Sequence, residues 1–185
     1  GFGGRIGYQS ITGVYYDGWI DELRISKGIA RWTENFNVPP NEYPVTYNTV
    51  DDAYTKALLH FNGDDGETSF IDQSGKVWTA VGSAQLDTAI KKFGTAAGLF
   101  DGTEDYLSAS DHADFDFGNG SGDFTIDFWC YPTVTPTGVW VGLIAADTNA
   151  GQGWQVAMYD DLAPRLTNDN SNTWLASGPV MTINT

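Results

Sequence analysis

Apolar and polar residues alternate along most of this chain with a period of two, and the 3.6-residue spacing of an amphipathic helix is nearly absent. Residues 123 to 131, DFTIDFWCY, place Phe124, Ile126, Phe128 and Cys130 on one face, with Thr125, Asp127, Trp129 and Tyr131 on the other. Residues 57 to 61 (ALLHF), 139 to 145 (VWVGLIA) and 154 to 159 (WQVAMY) predict further strands. So does 18 to 25, GWIDELRI, which sets Leu23 and Ile25 against Glu22 and Arg24 and points Asp21 and Glu22 to opposite faces. Asp17-Gly18, Asn62-Gly63, Asp65-Gly66, Asp101-Gly102 and Asn119-Gly120 read as turns, because Asn, Asp and Gly tolerate the left-handed region. Many short strands joined by such turns predict an all-β antiparallel sandwich or barrel. The helix-like stretches 30 to 36 and 86 to 92 are too short to stand alone.

Composition narrows the class. Aromatic residues make up 14% of the 185 residues and charged residues 18%, the reverse of a disordered chain. No apolar run approaches the ~18 residues of a membrane-spanning helix. With 24 acidic against 9 basic residues the formal charge is -15, which repels phosphate backbones, so no nucleic-acid partner and no membrane insertion are expected. The single cysteine, Cys130, cannot form an internal disulfide and sits in an apolar run, where a buried, inert thiol is expected. The chain begins Gly1-Phe2-Gly3-Gly4-Arg5, without an initiator Met or a signal-peptide core, and reads as a piece of something longer.

Three of the seven prolines, Pro39, Pro40 and Pro44, fall in residues 38 to 52, which predicts a semi-rigid linker. Residues 1 to 37 are too few to enclose a core by themselves. They need a partner sheet, supplied either by a preceding stretch or by residues 53 to 185.

At GWIDELRISKGIARWTENFNVPP the chain resembles the last strand and exit segment of a laminin-G-like domain, in the concanavalin A-like jelly-roll superfamily. ALLHFNGDDGETSFIDQSGKVW, residues 57 to 78, is similar to that family's opening strand and first loop. Lys91 to Pro132 is similar to its next block. The combination recurs in bacteriophage tail and fibre proteins and in bacterial surface proteins. The resemblance implies a jelly-roll β-sandwich, but the closing motif comes first. The expected organisation is therefore the end of one tandem unit (1–37), a linker (38–52) and the first two thirds of a second unit (53–185). A circular permutation is the alternative. An unclosed jelly roll would expose an edge strand, so an oligomer, or pairing with neighbouring repeats and other virion or surface chains, is expected.

A glucanase of the same superfamily would carry acids at i, i+2 and i+5 of one strand, and a retaining mechanism wants two carboxylates about 5 Å apart. Around Asp21-Glu22 those positions hold Trp19 and Arg24 instead. His60 and His112 are the only imidazoles; neither has a spacing suited to zinc, and His60 is expected on the solvent face of a strand. There is no G-x-S-x-G elbow and no dinucleotide-binding glycine motif.

Asp64, Asp65, Glu67 and Asp72 cluster in the first loop, and Asp101, Glu104 and Asp105 in another. Such loops supply the oxygen ligands calcium prefers, and laminin-G-like domains often hold calcium at the sandwich rim, so Asp64, Asp65 and Asp72 are candidate Ca²⁺ ligands. Solvated acidic turns are the other reading. For a glycan ligand the candidates are Trp140, Trp154 and Trp174, which could stack on sugar faces, and Asn170 in the run Asn168 to Asn172. For each aromatic a place in the core is the competing reading. The expectation is a non-catalytic structural or adhesion module of a virion or cell surface, binding carbohydrate. A carbohydrate-active hydrolase and a purely structural array module are the alternatives.

Overall fold

The computed structural model describes residues 3–9, 13–44, 53–117, 122–147, 153–167, 175–178 and 180–181. The strands are β1 (Gly3–Ile6), β2 (Tyr8–Gln9), β3 (Val14–Tyr15), β4 (Asp17–Lys27), β5 (Thr55–Leu59), β6 (Ser69–Ile71), β7 (Val77–Val81) and β8 (Gln85–Asp87). They continue as β9 (Ala97–Asp101), β10 (Tyr106–Asp111), β11 (Phe124–Pro132), β12 (Val141–Asp147), β13 (Gly153–Met158), β14 (Arg165–Thr167) and β15 (Ala176–Ser177). Among the described residues there is no α-helix. Residues 30 to 36 form no regular element, and 86 to 92 hold the end of β8 followed by bends.

Among the described residues all pairings are antiparallel. A larger sheet runs β15-β14-β13-β12-β1-β10-β7-β6, a smaller one β11-β4-β9-β8 with β5 also on β4, and β2 and β3 pair as a separate two-stranded sheet. Side chains from both sheets meet in one apolar core, including Ile6, Leu107, Leu143 and Trp154 from the larger and Ile20, Leu23, Leu59 and Phe100 from the smaller. Burying each large aliphatic side chain contributes roughly 1.5–3 kcal/mol. The face of β11 expected to be apolar, Phe124, Ile126, Phe128 and Cys130, packs against this core.

The N-terminal segment supplies an interior strand to both the larger and the smaller sheet. β1 lies between β10 and β12. β4 pairs with β11 along one side, and on the other with β9 over its first half and β5 over its second. Strands expected to close one unit thus pair, within this chain, with strands expected to open the next. Asp17-Gly18 is no turn: it begins β4, where Gly18, at φ 141, lies so close to the Tyr131 carbonyl that a Cβ would overlap it.

Residues 38–44, expected to be linker, lie against the smaller sheet. The Tyr43 ring stacks under the Arg24 guanidinium at 3.9 Å, and its hydroxyl donates to Asp127 at 3.2 Å. Arg24 makes a two-pronged ion pair with Asp127 (3.1 and 2.8 Å), and Trp32 Nε1 donates to the same carboxylate at 2.9 Å. Residues 29–44 therefore form a strap across the outer face. Residues 45–52 lie outside the described residues.

Candidate functional site

A slip in the alternation of β4 creates the site. Ile20, Leu23 and Ile25 all enter the core, each 1% exposed or less, although strict alternation would turn Ile20 away from the other two. Between the pairs Asp21↔Trp129 and Arg24↔Asp127, β4 carries one residue more than β11. Glu22 takes φ 49 to accommodate it, a left-handed conformation that costs a non-glycine residue about 1–2 kcal/mol. This β-bulge falls where β9 leaves off and β5 begins, since Ile20 pairs with Gly98 and Leu23 with Leu59. Asp21 and Glu22, expected on opposite faces, are instead both turned to the segments that cover the outer face.

Both are buried, at 3% and 1% exposure. Asp21 Oδ1 accepts from the Glu22 N–H at 2.9 Å, and Oδ2 from the N–H groups of Lys92 (2.7 Å) and Phe93 (3.0 Å). Burial pushes its carboxyl up to about 6, against the lowering effect of the Phe93 and Lys92 amides, and the neighbouring Glu22 charge adds to the rise. Glu22 Oε1 lies 2.7 Å from His60 Nδ1, and Oε2 accepts from the Tyr43 N–H at 3.0 Å. The hydrogen bond to Glu22 raises the His60 pKa in spite of the opposing effect of burial. His60, expected on a solvent-exposed face, is 6% exposed because the strap covers it.

Glu42, on the strap, completes a cluster. Donor atoms of Glu22, Glu42 and His60 all lie within 4.8 Å of one another. Glu42 Oε1 also accepts from Asn62 Nδ2 at 2.9 Å, and Asn62 Oδ1 accepts from the Thr95 N–H at 2.6 Å. Gly94 fits beside this pair at φ 58; a Cβ there would overlap both Asn62 Oδ1 and Glu42 Oε1.

Beside the cluster, Asp21 forms part of the wall of a recess of about 280 Å³ on the outer face. Its aromatic lining is Trp19, Trp129 and Tyr131, all half-buried. Trp19 and Tyr131 meet edge to face at 5.8 Å, Trp19 Nε1 donates to Asp87 at 3.3 Å, and the Lys92 ammonium sits 4.0 Å above the Trp129 ring. Cys130, between Trp129 and Tyr131 in β11, turns its side chain to the core instead, and burial pushes that thiol up to about 12.

The described residues singled out from sequence lie elsewhere. The Asp64, Asp65 and Asp72 carboxylates do not converge. Asp65 accepts from Thr88, while Asp64 is exposed in the loop. Asp72, 6% exposed, is satisfied by the N–H groups of Leu58 and Ser74 and by Trp78 Nε1. Asp105 likewise accepts from the Ser83 and Asp101 N–H groups. Trp154 corrects the reading as a ligand aromatic: it is fully buried, donates to the Phe115 carbonyl at 2.8 Å and stacks on Phe117. Trp140 is half-buried, packed on Tyr159 and under Arg165. Trp174 and Asn170 lie outside the described residues.

Trp19, Trp129, Glu42 and His60 escaped sequence reasoning because they are far apart in the chain. The available signal was the spacing of Ile20, Leu23 and Ile25, which betrays the bulge. No protein-family model, curated protein or solved structure matches this chain. Among the described residues no helix is long and apolar enough to cross a membrane.

Proposed function

We propose that this chain is a non-catalytic adhesion module of laminin-G-like jelly-roll type, carried on a virion fibre or a cell surface, that docks a saccharide ring in the outer-face recess. The observation that carries the reading is the recess itself. Trp19 and Tyr131 line it with half-buried rings on which a sugar can stack, Trp129 adds a ring beneath the Lys92 ammonium, and Lys91 stands at the same recess as a hydrogen-bond donor for hydroxyls. The net charge of -15 favours neutral over acidic sugars.

Asp21 is engaged on both oxygens by backbone N–H groups, the pattern of a carboxylate that organises a loop. One feature favours the hydrolase alternative: a carboxyl raised to about 6 beside an aromatic recess suits a general acid. Calorimetric titration with a panel of neutral oligosaccharides tests the proposal. Binding that is lost in Trp129→Ala, with no product released from the bound glycan, supports adhesion. No binding by the parent protein, or binding unaltered in Trp129→Ala, overturns it, and turnover abolished by Asp21→Asn replaces it with the hydrolase.

A further inference from the structure

We propose that Glu22, Glu42 and His60 form a binding site for one divalent transition-metal cation of the zinc type, which ties the strap to the sheet. The three donors come from three separate segments: the β4 bulge, the strap, and the residue following β5. Their donor atoms already lie within 4.8 Å of one another, so a cation placed among them needs only side-chain adjustment. One imidazole with two carboxylates is a mixed nitrogen and oxygen set, which suits zinc or manganese better than calcium.

Two further observations point to a ligand. The first is an orphaned buried atom. The His60 side chain is 8% exposed and its Nδ1 meets Glu22, yet among the described residues its second ring nitrogen has no partner. The second is charge. Asp21, Glu22 and Glu42 all lie near His60; among the described residues neither Glu22 nor Glu42 forms an ion pair with a Lys or Arg, and the Arg24 guanidinium is taken by Asp127. The carboxylates of Glu22 and Glu42 share one imidazole, and a divalent cation set among them supplies positive charge to both.

The donors are also oriented from behind. Tyr43 N–H holds Glu22, while Asn62, itself fixed by Thr95, holds Glu42. Outer contacts of this kind set the direction of metal-binding carboxylates. Partly exposed Glu42 leaves the entry route.

The test uses tag-free protein stripped with a chelator and titrated with Zn²⁺, in parallel with Mn²⁺ and Ca²⁺, by calorimetry and thermal melting. The expected result is one Zn²⁺ per chain and a raised melting temperature, with Ca²⁺ much weaker. Glu42→Gln, which removes a charge at the surface and leaves the core intact, should weaken Zn²⁺ binding at least about tenfold. His60→Gln should do the same if it folds, and His112→Ala should bind as the parent does. Two results overturn the site: no Zn²⁺ binding by the parent at millimolar metal, or binding that Glu42→Gln leaves unchanged, which would mark an adventitious ion only. Neither depends on glycan binding.

Discussion

Glu22 and His60, 38 residues apart in sequence, meet at 2.7 Å beneath the strap, with both side chains less than a tenth exposed. The contact joins the bulge of β4 to the end of β5, and through the Tyr43 N–H it also joins the strap. It therefore couples two neighbouring strands to the segment that covers them.

Because the pair is buried, removing one partner leaves the other uncompensated. His60→Ala should lower stability by about 3–5 kcal/mol, read from urea denaturation midpoints at constant m-value. A change below about 1 kcal/mol would mean that water reaches Glu22 and substitutes for the imidazole.

Gly94 lets the strap approach the Asn62 turn. Gly94→Ala should cost at least about 1 kcal/mol, since alanine is strained at φ 58 and its methyl would displace Glu42 or Asn62. Amide exchange at Tyr43 should accelerate in this variant while amides of β12 and β13 stay protected. Uniform acceleration would show that the strap and the core open together.

Trp154 and Trp140 separate the core from the surface. Trp154→Phe removes the indole donor from the Phe115 carbonyl, which keeps only the Phe117 N–H at 3.0 Å, and leaves unfilled volume beside Phe117, together costing about 1–3 kcal/mol. Trp140→Phe keeps a ring against Tyr159 and should cost much less. Thermal melts of the two variants, side by side, check the order.

Cys130 should be a poor nucleophile. With its thiol pushed up to about 12, the thiolate fraction at pH 8 is roughly a thousandfold below that of a free cysteine. Labelling by a disulfide reagent should be correspondingly slow in the native protein. It should speed up about tenfold per pH unit as pH rises from 8 towards 10, and become fast in guanidinium. Rapid native labelling at pH 8 would show that the core side of β11 opens to solvent.

The alternation of DFTIDFWCY by itself determined that β11 exists and which of its faces packs on the core, because a strand's side chains follow a fixed period of two. Turn dipeptides such as Asp65-Gly66 marked breaks between short strands, because local backbone preference favours a bend there, although Asp17-Gly18 was drawn into β4 instead. Three things belonged to tertiary structure. The bulge at Glu22 arises because β4 must match β11 on one side and both β9 and β5 on the other, a demand set by pairing with strands that lie far away in the sequence. The Pro-rich stretch, composed like a linker, became a strap because Arg24 and Asp127 offered Tyr43 a stacking cation and an acceptor. The cluster of Glu22, Glu42 and His60 exists only where three distant segments cross, so no spacing along the chain encodes it. Periodicity records which side of a strand is buried; it carries no record of what comes to cover the other side.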